Sequence, residues 1–324
     1  MHTATHRTAR HAALGLVVLV LLSLASAASA QEPANLPGNP LVGVIDFHVH
    51  SGADRFTRSV TDLEIARIAR ARGMGAIVLK NHFTMTADRA WLAEKETGQR
   101  CYGGVALNRS VGGLNAEAIR KMVTFTGERG KVVWLPTFDA EHHVRYFKGN
   151  RPFVPVVRDG KPVPELREIF ALIAQHNLVL QTGHSSPTEC LILIRAARNA
   201  GVKRILVTHG MADPIGMSVK EVRQAATLGA LIECVWLTNI VGPNSHLDSM
   251  RHWRRVTTDD YAKAIRAVGP QHFVLASDLG QYLNPLPTDG LKAFILGLRE
   301  RGFSDEEIDL MCRKNPARLL GWVD

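Results

Sequence analysis

Cysteine is scarce in this chain of 324 residues: Cys101, Cys190, Cys234 and Cys312 are far apart and form no Cys-x-x-Cys pair. That spacing argues against a disulfide scaffold, a zinc ribbon and a thioredoxin-type site. No Gly-x-Gly-x-x-Gly follows the first apolar run, so a dinucleotide fold has no support. No internal linker divides the chain, and low-complexity segments are missing. With 46% apolar and 21% charged residues, the composition is that of a globular protein. A chain of this length buries an ample core without staples. Its net charge of +9 is spread out, and only 252–255 and 145–151 are locally dense. Neither segment matches a nucleic-acid recognition motif, so a basic, solvated surface is expected and no nucleic-acid partner.

Residues 1–30 have a pattern of their own. Arg7 and Arg10 precede an apolar run over 12–25, and Ala28-Ser29-Ala30 offers a small-x-small cleavage signature before Gln31. This is the layout of a secretory signal peptide. The run is short of the ~20 residues that span a bilayer, so no stable membrane anchor is expected after cleavage. There is no Arg-Arg pair and no cysteine near the cut to carry a lipid. The expectation is a periplasmic or secreted protein, cut after Ala30. Removing two arginines and no acids lowers its net charge to +7.

The remaining 31–324 read as one domain. Strand candidates fall at 44–47, 76–79, 103–107, 131–135, 178–181, 205–208, 231–235 and 273–276. They are rich in Val, Ile and Leu without strict alternation, as strands buried on both faces should be. Amphipathic segments lie between them, such as Leu166, Ile169, Phe170 and Ile173 at i, i+3, i+4, i+7. Thr61 and Ser218 can cap helices, and Gly73 can stop one. Eight strand–helix units over about 260 residues predict a (β/α)8 TIM barrel, with an extra C-terminal helix over 304–321. A doubly wound sheet usually has fewer units. The long stretch 139–164 follows the fourth strand and contains Arg158-Asp159-Gly160-Lys161, a hairpin-turn signal. It is a candidate lid over an active site.

Polar groups end several strands. The first ends Asp46-Phe47-His48-Val49-His50, and residues two apart on a strand point the same way, so both histidines can share a metal. The fifth ends in His184, the sixth in His209 and the eighth in Asp278. Any one of these could be a satisfied core residue. Four histidines and one aspartate at four strand ends, on the rim where barrel enzymes keep their chemistry, suit zinc, or manganese or iron.

On these residues the sequence resembles the amidohydrolase superfamily, metal-dependent hydrolases built on (β/α)8 barrels. The matching positions are His48, His50, His184, His209 and Asp278, and 315–321 resembles the tail helix found there. The resemblance implies a metal held by His48, His50, His184 and Asp278. It also implies a metal-activated water that cleaves an amide, ester or lactone bond in a small molecule. Asp278 would orient that water and take its proton, and His209 would polarise the substrate oxygen or steady the water.

One departure matters. Dinuclear relatives carry a bridging lysine or glutamate after strand four, but here that strand ends Leu135-Pro136-Thr137-Phe138-Asp139. Lys80 ends strand two instead. It could be carboxylated and bridge two ions, grip a substrate anion as a cation, or be an ordinary rim lysine. One ion and a cationic Lys80 are the expectation. Lys80, His82, Arg109 and His143 are the candidates for substrate binding, and an anionic substrate would suit Lys80 and Arg109. Glu233, inside strand seven, is either an acceptor for a ligand histidine or an outlier. Competing readings are a mononuclear lyase acting on a carboxylic acid, a phosphoesterase and a periplasmic binding protein. A phosphoesterase also begins with Asp-x-His-x-His-Ser, but it would need an Asp-x-His near the end, where this chain has Asp278-Leu279-Gly280. A homo-oligomer is left open.

Overall fold

The apolar runs become strands because β-branched and leucine side chains pack well on a sheet covered on both faces. In the computed structural model, which describes residues 38–322, they are β1 Ile45–His50, β2 Ala76–Lys80, β3 Cys101–Ala106, β4 Gly130–Trp134, β5 Val179–Gln181, β6 Arg204–Val207, β7 Leu231–Val235 and β8 Phe273–Ala276. Each pairs in parallel with the next in chain order. Helices alternate with them, giving the expected (β/α)8 barrel. The signal-peptide reading of 1–30 lies outside the described residues.

The seam between β8 and β1 closes at its upper end. Asp278 N–H donates to His48 O and His50 N–H to Leu279 O, both at 2.9 Å. Below them, Asp46 Oδ1 accepts from Ser277 N–H at 3.0 Å and from His48 N–H at 3.1 Å. Ser277 Oγ donates to His48 O at 3.0 Å. A carboxylate thus replaces ladder bonds at this seam.

Alternate residues divide between two cores. Val49, Ile77, Leu79, Val133 and Leu180 pack outward on the helices. Ile45, Phe47, Val78, Trp134 and Val274 fill the barrel. Trp134 fits because β3 offers Gly104, where a Cβ would collide with Val132 O and the indole. The tail is more than one simple helix: Asp305–Asp309 runs through a π segment, Leu310–Lys314, into Asn315–Leu320. Leu319 and Leu320 join the inner core and plug the bottom of the barrel. Asn315 Nδ2 donates to Phe273 O at 2.8 Å and ties the tail to β8.

Reciprocal capping boxes start the helices at Thr61, Ser186, Ser218 and Thr257, so each chain leaves the upper rim at a defined point. The stretch 139–164 holds a short helix, Glu141–Tyr146, and a two-stranded hairpin, Val157–Arg158 with Lys161–Pro162. Asp159 and Gly160 at its tip both have positive φ, as a two-residue hairpin of this twist requires. No helix of the described residues is long and apolar enough to cross a membrane.

Asp46→Ala strands two buried N–H donors at the seam and should cost about 1–3 kcal/mol in urea unfolding. Asp46→Asn keeps the accepting oxygen and should cost less. An Asn variant as damaged as the Ala variant would show that the charge, and not the acceptor, closes the seam.

Candidate metal centre

The two β1 histidines reach the cavity through a bulge. Asp46 pairs with Ile77 and Val49 with Leu79, so Phe47 and His48 together face Val78. Plain alternation after Ile45 and Phe47 would turn His48 and His50 outward with Asp46. The extra residue reverses the parity, so Val49 joins the outer core and both histidines line the cavity. His209 and Asp278 are aimed inward differently. Both have positive φ, 25° and 53°, a strain of about 1–3 kcal/mol each that clusters at functional sites. Two residues after Asp278 stands Gly280, at φ 125°, where a Cβ would strike His50 O.

His48 Nε2 and His50 Nε2 lie 3.0 and 3.1 Å from the same atom, Asp278 Oδ1. His48 Nδ1 is 3.0 Å from Glu233 Oε2, and His50 Nδ1 is 3.1 Å from Lys80 O. A carbonyl oxygen only accepts, so His50 donates from Nδ1, and a Glu233 carboxylate sets His48 the same way. Both Nε2 atoms therefore carry lone pairs that converge on a carboxylate oxygen. Burial holds His48 down at about 3 and His50 well below the usual imidazole range, so protonation does not relieve this convergence. A cation does. Two imidazoles and a carboxylate, buried and with their second nitrogens anchored, fit a first-row divalent ion.

Lys80 is fully buried, which excludes the ordinary rim lysine. Its Nζ donates to His48 Nε2 at 3.0 Å and stands 5.6 Å from the centre of the Trp134 ring. Burial lowers its pKa to about 8 against the pull of Asp278 and Glu233. Burial likewise raises Glu233, against the pull of Lys80 and the His209 N–H that donates to Oε2 at 2.9 Å. Glu233 Oε2 therefore lies against both His48 Nδ1 and the His209 N–H, the place that the acceptor reading requires.

The remaining histidines form a second group. His184 Nε2 faces His209 Nε2 at 3.2 Å, and its Nδ1 faces His143 Nδ1 at 2.8 Å. Burial lowers all three. His209 Nδ1 is buried and has no partner among the described residues. His184 is therefore in the cavity but not in the tight cluster of His48, His50 and Asp278. His143 comes from the Glu141–Tyr146 helix, which makes the candidate lid part of the site. His82 stacks on His50 at 4.9 Å and packs at a tilt against Phe138, with ring centres 4.1 Å apart. Thr137 Oγ1 lies 2.9 Å from His82 Nδ1, and Asn108 Nδ2 donates to that hydroxyl oxygen at 2.7 Å.

Arg109 does not line the cavity. It is exposed on a 3-10 turn, where its N–H donates to Asp139 Oδ2 at 2.9 Å. The cavity, about 680 Å³, is lined instead by Arg58 and by a largely apolar roof that includes Phe56, Phe138, Phe147, Trp253 and Tyr282. Its size suits a small molecule. Sequence reasoning missed Arg58 because it ends no strand; Asp54 four residues earlier was the available signal.

Residues 43–233 match DUF6282, described as a family of unknown function. No curated protein matches. Among solved structures, the chain is similar to an amidohydrolase from Pseudomonas aeruginosa, at 16% identity and TM-score 0.56, covering 87% of this chain and 96% of that one. An organophosphorus hydrolase from Deinococcus radiodurans is 17% identical, with TM-score 0.53, covering 87% and 93%. A structure from work engineering organophosphate hydrolysis on a promiscuous lactonase template is 18% identical, with TM-score 0.57, covering 88% and 97%. These likenesses show a shared barrel fold.

Glu233→Ala removes the acceptor that sets the His48 ring. Zinc affinity, measured by competition with a chromogenic chelator, should fall about 10–100-fold while the barrel stays folded. Unchanged affinity would mean that Glu233 does not orient His48.

Proposed function

The chain belongs to the DUF6282 family, and on the geometry of its buried histidine–carboxylate cluster we propose that it is an exported, metal-dependent hydrolase of small molecules. The observation that carries this reading is the convergence of His48 Nε2, His50 Nε2 and Asp278 Oδ1 inside a cavity of substrate size. The likeness in fold to structures named amidohydrolase and organophosphorus hydrolase supports it. One ion is preferred to two, and zinc to manganese or iron, because two imidazoles and a carboxylate in tight convergence suit a four-coordinate catalytic site. His184 is proposed as a further ligand, through the Nε2 that faces His209.

Such an ion supplies Lewis acidity and makes water acidic enough to attack at neutral pH. The chain's own groups do the rest. Asp278 keeps Oδ1 on the two histidines and leaves Oδ2 without a protein partner among the described residues, placed to take a proton from the attacking water and return it to the leaving group. Lys80, desolvated beside Asp278, offsets negative charge that develops on the substrate oxygen. His209 sits across from His184 and can donate to that oxygen or to the water. The Phe138, Phe147 and Trp253 rings limit access of bulk water to the charged floor.

Stripping metal from the protein should abolish turnover on a panel of lactones, esters, amides and phosphoesters, and added zinc or manganese should restore it. Lys80→Met should lower kcat about 100-fold with metal content unchanged. Loss of carbon dioxide from aromatic acids without hydrolysis would favour a lyase. Binding without turnover in metal-loaded protein would favour a binding protein. Either result rejects the hydrolase.

Export rests on the charged, apolar and small-residue order of residues 1–30. Amino-terminal sequencing of the protein from its native host should begin at Gln31. An intact Met1 would contradict export with cleavage.

A further inference from the structure

One charged group in the cavity has no part in the reaction described above. Arg58 lies between β1 and the helix Asp62–Ala71, with a side chain only 5% exposed, and it lines the cavity. Its backbone bridges Gln281, while Ser59 N–H donates to Gly280 O at 3.0 Å and Ser59 Oγ to Gln281 O at 2.8 Å. The segment is therefore stitched to the loop that follows Asp278, and its guanidinium has a defined place relative to the metal cluster.

Asp54, itself buried, holds that guanidinium from one side. A single oxygen, Oδ2, accepts from Nε at 2.8 Å and from Nη2 at 2.7 Å. Five N–H groups are available on a guanidinium, and these contacts use two. His50 Nδ1 is 3.4 Å from Nη2, but it already donates to Lys80 O and has no lone pair to offer. The end-on pair, Nη1 with the outer N–H of Nη2, therefore has no acceptor among the described residues. Donors that open on the cavity are satisfied only by what enters it, and a charged acceptor satisfies them best. A planar fork of two parallel N–H groups matches the two oxygens of a carboxylate. The rest of the wall offers Phe56, Phe138, Phe147 and Trp253, which suit an apolar body.

We infer that Arg58 is a carboxylate-binding residue, and that the cavity takes substrates carrying a carboxylate on an aryl- or alkyl-sized apolar body. This rests on the cavity being the substrate site of the proposed hydrolase. It moves the anion contact expected of Arg109 to a residue inside the cavity. Lys80 remains free to meet charge at the reacting bond, because the two cations lie on different elements, β2 and the loop after β1.

Isothermal titration of the full chain with phenylacetate and its neutral isostere phenylacetamide tests the assignment, with metal loaded and after chelation. Wild type should prefer the carboxylate by about tenfold or more, the worth of a charge-assisted pair. Arg58→Met should erase that preference and leave metal content and phenylacetamide affinity unchanged. Arg58→Lys, which keeps charge but loses the fork, should retain part of it and decides the question if the Met variant unfolds. The preference should survive chelation. A preference intact in both variants, lost only on chelation, or never present in wild type would overturn the inference. These readouts need no turnover, so a failed hydrolase reading is recognised separately, by metal-loaded protein that turns nothing over.

Discussion

Three lone pairs meet at the junction of the first and last barrel strands, and the rest of the site is arranged around that meeting. His48 Nε2 and His50 Nε2 each lie about a hydrogen-bond length from Asp278 Oδ1, all three atoms within 4.8 Å of one another, and the donor facing them is Lys80 Nζ, 3.0 Å from His48 Nε2. The same residues close the barrel, since the seam runs through His48 O, His50 N–H and Asp278 N–H. Closure and ligand placement are thus one set of constraints. A change in seam register would move all three donors, and the bulge at Phe47–His48 is what makes their inward direction compatible with an ordinary outer face.

Around this junction the electrostatics are arranged in layers. Glu233 sits below His48, bonded also to the His209 N–H, and so links the fates of two rim histidines on different strands. Lys80 lies over the Trp134 ring and against His48, in a place where desolvation weakens its hold on a proton. Above, aromatic rings from the loops after β1, β4 and β7 narrow the cavity. A dry, charged floor under an apolar roof is the setting in which fixed dipoles and charges act most strongly on a reacting bond.

Much of this was legible in the sequence, for identifiable reasons. All eight strands showed as Val/Ile/Leu runs, and their ends differ from expectation by three residues at most, at the end of β1. The hairpin at 157–162 showed through Asp159-Gly160, because turn chemistry is local. The histidines of the cluster showed because they sit at strand ends. What did not show depends on pairing between distant segments. The bulge depends on how β1 registers with β2, and nothing in 45–50 alone reveals it. Glu233 was ambiguous until β7 stood beneath β1. Arg58 did not show at all, while Arg109 stood out because it follows a strand, and only the stitching of 58–59 to 280–281 places the first in the cavity and leaves the second exposed. His143 reached the site through a helix folded back from a long connection, a path with no sequence period to mark it.

The account stands on the cluster at the β1–β8 seam being a metal site. A crystal structure of zinc-loaded protein, with the ion located by its anomalous scattering, tests this most directly. The account predicts an ion bonded to His48 Nε2, His50 Nε2 and the Asp278 carboxylate at about 2.0–2.2 Å. An ion bound elsewhere, or a cluster that stays bridged by Lys80 in excess zinc, would contradict it.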